Sequence, residues 1–211
     1  MKIITMLLKI GGQINMDEFE NMILNVRNSF RLLYSFNKAI FDLMKYIGTK
    51  FSIPYAGGFS QFSLPPPTYG YTRFDRWAWD WLNLYLYEFD FAKDKIKFSI
   101  ILQCDTGMWD TNVKHLDIEK FEKTTKSKTK LIFVFNNDEY WEINKVLAHE
   151  NLKGKYTETF ELTENKKSMF CMVFNINEFK DKTSTDNSLN KFVQYLNKNK
   201  IFDIKIVDKN L

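Results

Sequence analysis

The chain has 211 residues, 45% hydrophobic and 17% aromatic. A disordered chain would be poor in aromatics, so this composition describes one that can bury a core. Its 30 basic and 26 acidic residues leave a formal charge of +4. That is mild for a protein that grips nucleic acid by charge, and nucleic acid is not the expected partner. Two cysteines and two histidines argue against a disulfide framework and a His/Cys zinc centre.

Residues 1–10 are apolar, but the stretch is short, is broken by Lys9 and has no small-residue cleavage site after it. It does not read as a signal peptide, and the cytoplasm is the expected compartment. No run reaches the ~18 consecutive apolar residues of a membrane span, so no membrane is expected. Gly11-Gly12 precedes Met16 at the distance of a ribosome-binding sequence. Residues 1–15 are therefore expected to be a non-native extension, and 16–211 a single α+β domain.

From Asp17 to Ile47 the spacing predicts a long amphipathic helix. Phe19, Ile23, Val26, Phe30, Leu33, Ile40, Met44 and Ile47 recur by threes and fours, with Asn37 interrupting the row. Leu32, Phe36, Ala39 and Leu43 form a second row that widens the stripe. Asp17 with Glu20 has the spacing of a capping box, and Gly48 is a natural stop. A break near Ser35–Asn37 would make two shorter helices of it.

Residues 52–71 hold Gly57-Gly58 and Pro65-Pro66-Pro67, which forbid helix and favour an ordered loop. Tyr69 and Tyr71 within it are candidate binding residues. From Trp77 to Phe91 every second position except Asn83 is aromatic. A two-residue period is that of a strand, because successive side chains point to opposite faces. Ala92–Lys95 reads as a four-residue hairpin loop, with Ile96–Cys104 returning. Further strands are expected at 130–135, 156–162, 168–176 and 201–207. Residues 164–167 make a second hairpin turn, and a helix capped by Asp186 carries Leu189, Phe192 and Leu196. Leu116–Thr125 reads as a short helix. Hairpins dominate, so the expected fold is α+β: a mainly antiparallel sheet with a long N-terminal helix (or helical hairpin) and a C-terminal helix packed on it.

Chemistry is concentrated at one strand end. A four-residue loop pairs Phe91 with Ile96, which sets Asp90 opposite Lys97 and gathers Asp80, Gln103 and Asp105 beyond it, with Trp109 close by. Asp80, Glu88 and Asp105 are the candidate catalytic residues, and Asp80 with Asp105 could hold Mg²⁺. Gln103 and Trp109 join Tyr69 and Tyr71 as candidate binding residues. The competing reading of Asp105-Thr106-Gly107 is a turn. Nuclease chemistry of the restriction-endonuclease type would need a Lys on the returning strand, and Gln103-Cys104-Asp105 has none. The expectation is therefore a cytoplasmic binding protein, an accessory or immunity-type partner of another protein, without catalysis, metal or cofactor. The alternative is a metal-dependent, nuclease-like hydrolase of a phosphate-containing substrate using Mg²⁺.

Overall fold

A computed structural model describes residues 16–61, 84–94, 96–107, 121–136, 159–164 and 167–199, with the single positions 82, 146 and 206. The chain divides into two compact units, Met1–Asp42 and Leu43–Leu211. The first unit is described only as helix, the N-terminal part of α1 (Met16–Phe51). The helix is continuous, without a break at Ser35–Asn37.

The second unit holds the rest. After the last turns of α1 come β1 (Tyr55–Ser60), β2 (Leu86–Lys93), β3 (Ile96–Gln103), β4 (Lys130–Asn136), β5 (Thr159–Glu164) and β6 (Lys167–Asn175). A 3₁₀ turn (Ile176–Phe179) then leads to α2 (Lys182–Lys198). The strands form one six-stranded sheet in the order β1-β2-β3-β4-β6-β5. Each neighbouring pair is antiparallel, so the fold is α+β as the hairpin-rich sequence predicts.

Several boundaries differ from the sequence reading. The helix runs through Gly48 to Phe51. It ends where Ile53 N–H donates to Gly48 O and Ser52 N–H to Thr49 O, with Ser52 at φ 53°, a left-handed C-terminal cap. Gly48 serves packing instead: a Cβ there would lie 2.9 Å from the Phe91 ring. The aromatic strand begins only at Leu86, because Tyr85 N–H turns back to Leu82 O; Trp77–Trp81 lie outside the described residues. Tyr55–Ser60, expected as loop, is an edge strand. Its glycines conceal it, yet Gly58 sits where a Cβ would meet Glu88 O at 2.4 Å. Residues 121–125 are not helical. The strand expected at 201–207 lies outside the described residues except for Ile206, which is not in a strand. The cap of α2 is Asp181, whose carboxylate accepts from Ser184 N–H at 2.7 Å, with Asp186 a turn further in.

Lys93 pairs with Ile96, so the first hairpin loop has two residues, Asp94 and Lys95. The expected pairings therefore slide by two positions. An even slide keeps every side chain on its face, and the assignment of faces stands while the partners change: Asp90 faces Ser99, not Lys97.

Both faces of the central strands are buried. One carries Phe91, Phe98 and Phe133; Phe98 meets Phe51 from α1, Phe98 and Phe133 meet Phe192 from α2, and Phe91 lies against Phe98. Phe51 lies 5.4 Å from Phe98, and Phe192 lies 5.7 Å from Phe98 and 5.2 Å from Phe133. The other carries Leu86, Ile101, Ile132, Val134, Cys171 and Val173, packed with Val146. Tyr46 Oη donates to Asp186 at 2.6 Å, and Lys50 Nζ lies 3.4 Å from the other carboxylate oxygen. Burial, and then Asp186, raise the Tyr46 pKa above its ordinary value.

Candidate functional site

The end of β3 is held by a dense set of local bonds. Cys104 N–H donates to Tyr85 O, and the Cys104 thiol to Leu84 O at 2.9 Å. Thr129 Oγ1 donates to Cys104 O at 2.7 Å, Thr106 N–H to Lys128 O, and Lys128 N–H back to Thr106 Oγ1. Asp105 Oδ1 accepts from Gly107 N–H at 2.7 Å, the Asx turn that Asp and Gly form for backbone reasons. Gly107 is closed in as well, since a Cβ there would meet that same oxygen at 2.9 Å. The Asp105 carboxylate thus has a structural task. Burial, and after it Asp105, push the Cys104 thiol up to about 12, so it stays protonated at neutral pH and is no nucleophile.

Glu88 lies elsewhere on the sheet. Its residue is fully buried, and Gln61 Nε2 donates to its Oε2 at 2.6 Å. It pairs with Ile101, four positions before Asp105, a separation of about 13 Å along a strand. Glu88 and Asp105 are not brought together. Asp90 shares the face of Glu88 and accepts from the Ser99 hydroxyl. Asp80, Tyr69, Tyr71 and Trp109 lie outside the described residues. Among those described, no three His, Cys, Asp or Glu side chains gather as a metal centre would require.

Gln103 is buried at the last pair of β3 and β4, opposite Lys130. Among the described residues its Oε1 meets no hydrogen-bond donor. Lys130 is also buried, and desolvation lowers its pKa. The sequence reading did not single out Lys130 as a site residue. Its place as the first residue of a strand of apolar neighbours was the available signal.

The surface that stands out belongs to α1. Val26 is 43% exposed, Phe30 69%, Leu33 42% and Tyr34 71%. Phe30 and Tyr34 are one turn apart and so lie on one side of the helix. Large apolar side chains exposed together in this way are uncommon on the surface of monomeric proteins. Lys38 and Asp42 continue that i,i+4 row over the next two turns as an exposed ion pair at 2.8 Å. Residues 16–201 match the family model described as PM0109. No curated protein and no solved structure matches the chain.

Proposed function

The chain belongs to the PM0109 family, and we propose that it is a cytoplasmic binding protein that docks a protein partner through the apolar side of α1, in an accessory or immunity-type role rather than as an enzyme. The observation that carries this reading is the exposure of Phe30 and Tyr34 on one helix face. Engagement of the Asp105 carboxylate with Gly107 N–H and the distance between Glu88 and Asp105 weigh against the alternative, a Mg²⁺-dependent hydrolase. Among the described residues no helix is long and apolar enough to cross a membrane.

Oxidative footprinting tests the reading. Phe30 and Tyr34 should be labelled readily in the dilute purified chain and protected inside cells, while Tyr55, exposed on the sheet edge, should be labelled alike in both. Equal labelling of the helix in both settings would overturn it. A parallel titration with Mg²⁺ and Mn²⁺ should give no saturable heat. Micromolar binding abolished by the Asp80→Asn, Asp105→Asn double variant would overturn the metal-free reading in favour of the Mg²⁺-dependent alternative.

A further inference from the structure

We propose that residues 19–37 of α1 form a parallel, in-register, two-stranded coiled coil with the same helix of a second copy of this chain; this rests on the binding-protein reading and names its partner. The row Phe19, Ile23, Val26, Phe30, Leu33, Asn37, Ile40, Met44, Ile47, Phe51 advances by strictly alternating steps of four and three. That is the heptad repeat of a coiled-coil seam, with Ile23, Phe30, Asn37, Met44 and Phe51 at a and the others at d. Ile40, Met44, Ile47 and Phe51 are already buried, whereas Val26, Phe30 and Leu33 are exposed. The seam is therefore covered over its second half; in its first half Phe19, Ile23 and Asn37 are half-buried and Val26, Phe30 and Leu33 are open.

The residues beside the seam fit a copy of the same helix. Of the seven charged residues between 16 and 42, Asp17, Glu18, Arg31, Lys38 and Asp42 fall at the outer b, c and f positions, and Glu20 and Arg27 fall at e. The flanking g positions carry Met22, Ser29 and Phe36, and the e positions they would meet across a parallel pair carry Arg27, Tyr34 and Phe41. No like charges face each other in that arrangement, and the apolar e and g side chains widen the buried strip.

Asn37 decides the partner and the direction. A polar side chain at an a position is costly against an apolar surface and inexpensive against its own symmetry mate, where the two amides bond to each other. Only a second copy in parallel register brings Asn37 to Asn37. In the antiparallel pairing that keeps the a and d layers matched, Ile23 meets Leu33, Phe30 meets Val26, and Asn37 is set against Phe19. An unrelated apolar helix would likewise leave the amide unsatisfied. Leu24 and Leu32, though exposed, fall at b and c, outside the seam.

Sedimentation of the purified full chain over a wide concentration range tests the proposal. The mass should rise from 25.2 kDa to twice that value across the micromolar range. The Phe30→Glu, Leu33→Glu double variant should weaken association by on the order of 100-fold or more, because two buried layers acquire charge. Its near-ultraviolet dichroism should be unchanged, since both side chains are exposed in the single chain. Asn37→Leu should tighten association and admit species larger than dimers. Val26→Cys should cross-link to itself on mild oxidation, while the parent chain, whose Cys171 is buried and Cys104 half-buried, should not. A chain that stays monomeric throughout, a dimer indifferent to the double Glu variant, or one that does not cross-link through Val26→Cys would each overturn the proposal. Should a monomeric chain still be protected at Phe30 inside cells, the second copy is refuted and a different protein is the partner. Loss of that protection as well would refute the binding reading with it.

Discussion

Phe89 retains 1% of its surface and packs beside Tyr87, with ring centroids 4.7 Å apart. Its removal leaves a void between strands whose positions are set by hydrogen bonding on both sides. Phe89→Ala should cost ~3–5 kcal/mol, read as a shift in the urea midpoint with little change in slope. The two-residue period of the chain makes this burial legible, since alternate positions must share a face. Other residue roles were not legible. Asp186 looks like a helix cap in sequence, but its carboxylate receives Tyr46 and Lys50, and nothing local marks a partner 140 positions away. Asp105 reads equally as an acid or as a turn residue until Gly107 N–H is seen upon it.

Among the elements, the β2–β3 hairpin shows how a short loop governs a register. Asp94 adopts φ 54°, the left-handed conformation that two-residue hairpin loops require and that Asp, Asn and Gly tolerate. Asp94→Val should lower stability by roughly 1–2 kcal/mol, because a β-branched residue resists that conformation, whereas Asp94→Gly should be close to neutral. Chemical denaturation of the two variants checks both. The sequence favours a four-residue loop because Ala92 and Lys93 look like turn surroundings; pairing with Ile96 and Lys97 is what draws them into the strand. The long helix was the most legible element, its period being sustained over many turns. Its C-terminus was not, since Gly48 reads as a stop until Phe91 is placed against it.

For the whole molecule, burial sets the response to alkali. The Cys104 thiol and the Tyr195 hydroxyl are each pushed up to about 12, burial being the largest cause. Cys171, Tyr46 and Tyr85 are raised as well. Unfolding releases these groups to ordinary values near 9 for the thiols and 10 for the hydroxyls. The folded state then holds protons that the unfolded state gives up, so stability should be full below pH 9 and fall as the pH climbs from there toward 12. Lys130 works the other way: its lowered pKa makes it less costly to bury as the pH rises. Among the described residues the raised groups are more numerous, and a net alkaline loss is expected. Urea midpoints measured between pH 7 and 11 check this, and Cys104→Ala should flatten the slope. The antiparallel class of the sheet was legible from its hairpins. That β6 rather than β5 lies beside β4 was not, because strand order depends on which long connection closes.

That order bears on how the chain reaches its native state. Only the β2–β3 and β5–β6 pairs join strands next to each other in sequence across short loops. The other three pairings, β1 with β2, β3 with β4 and β4 with β6, each bridge a stretch of more than twenty residues. Two hairpins can zip early and locally, but the most buried strands, β3 and β4, acquire each other only after a large loop has closed. Distant pairings of this kind slow folding, and until they form the apolar sides of both hairpins are open to solvent and to other chains.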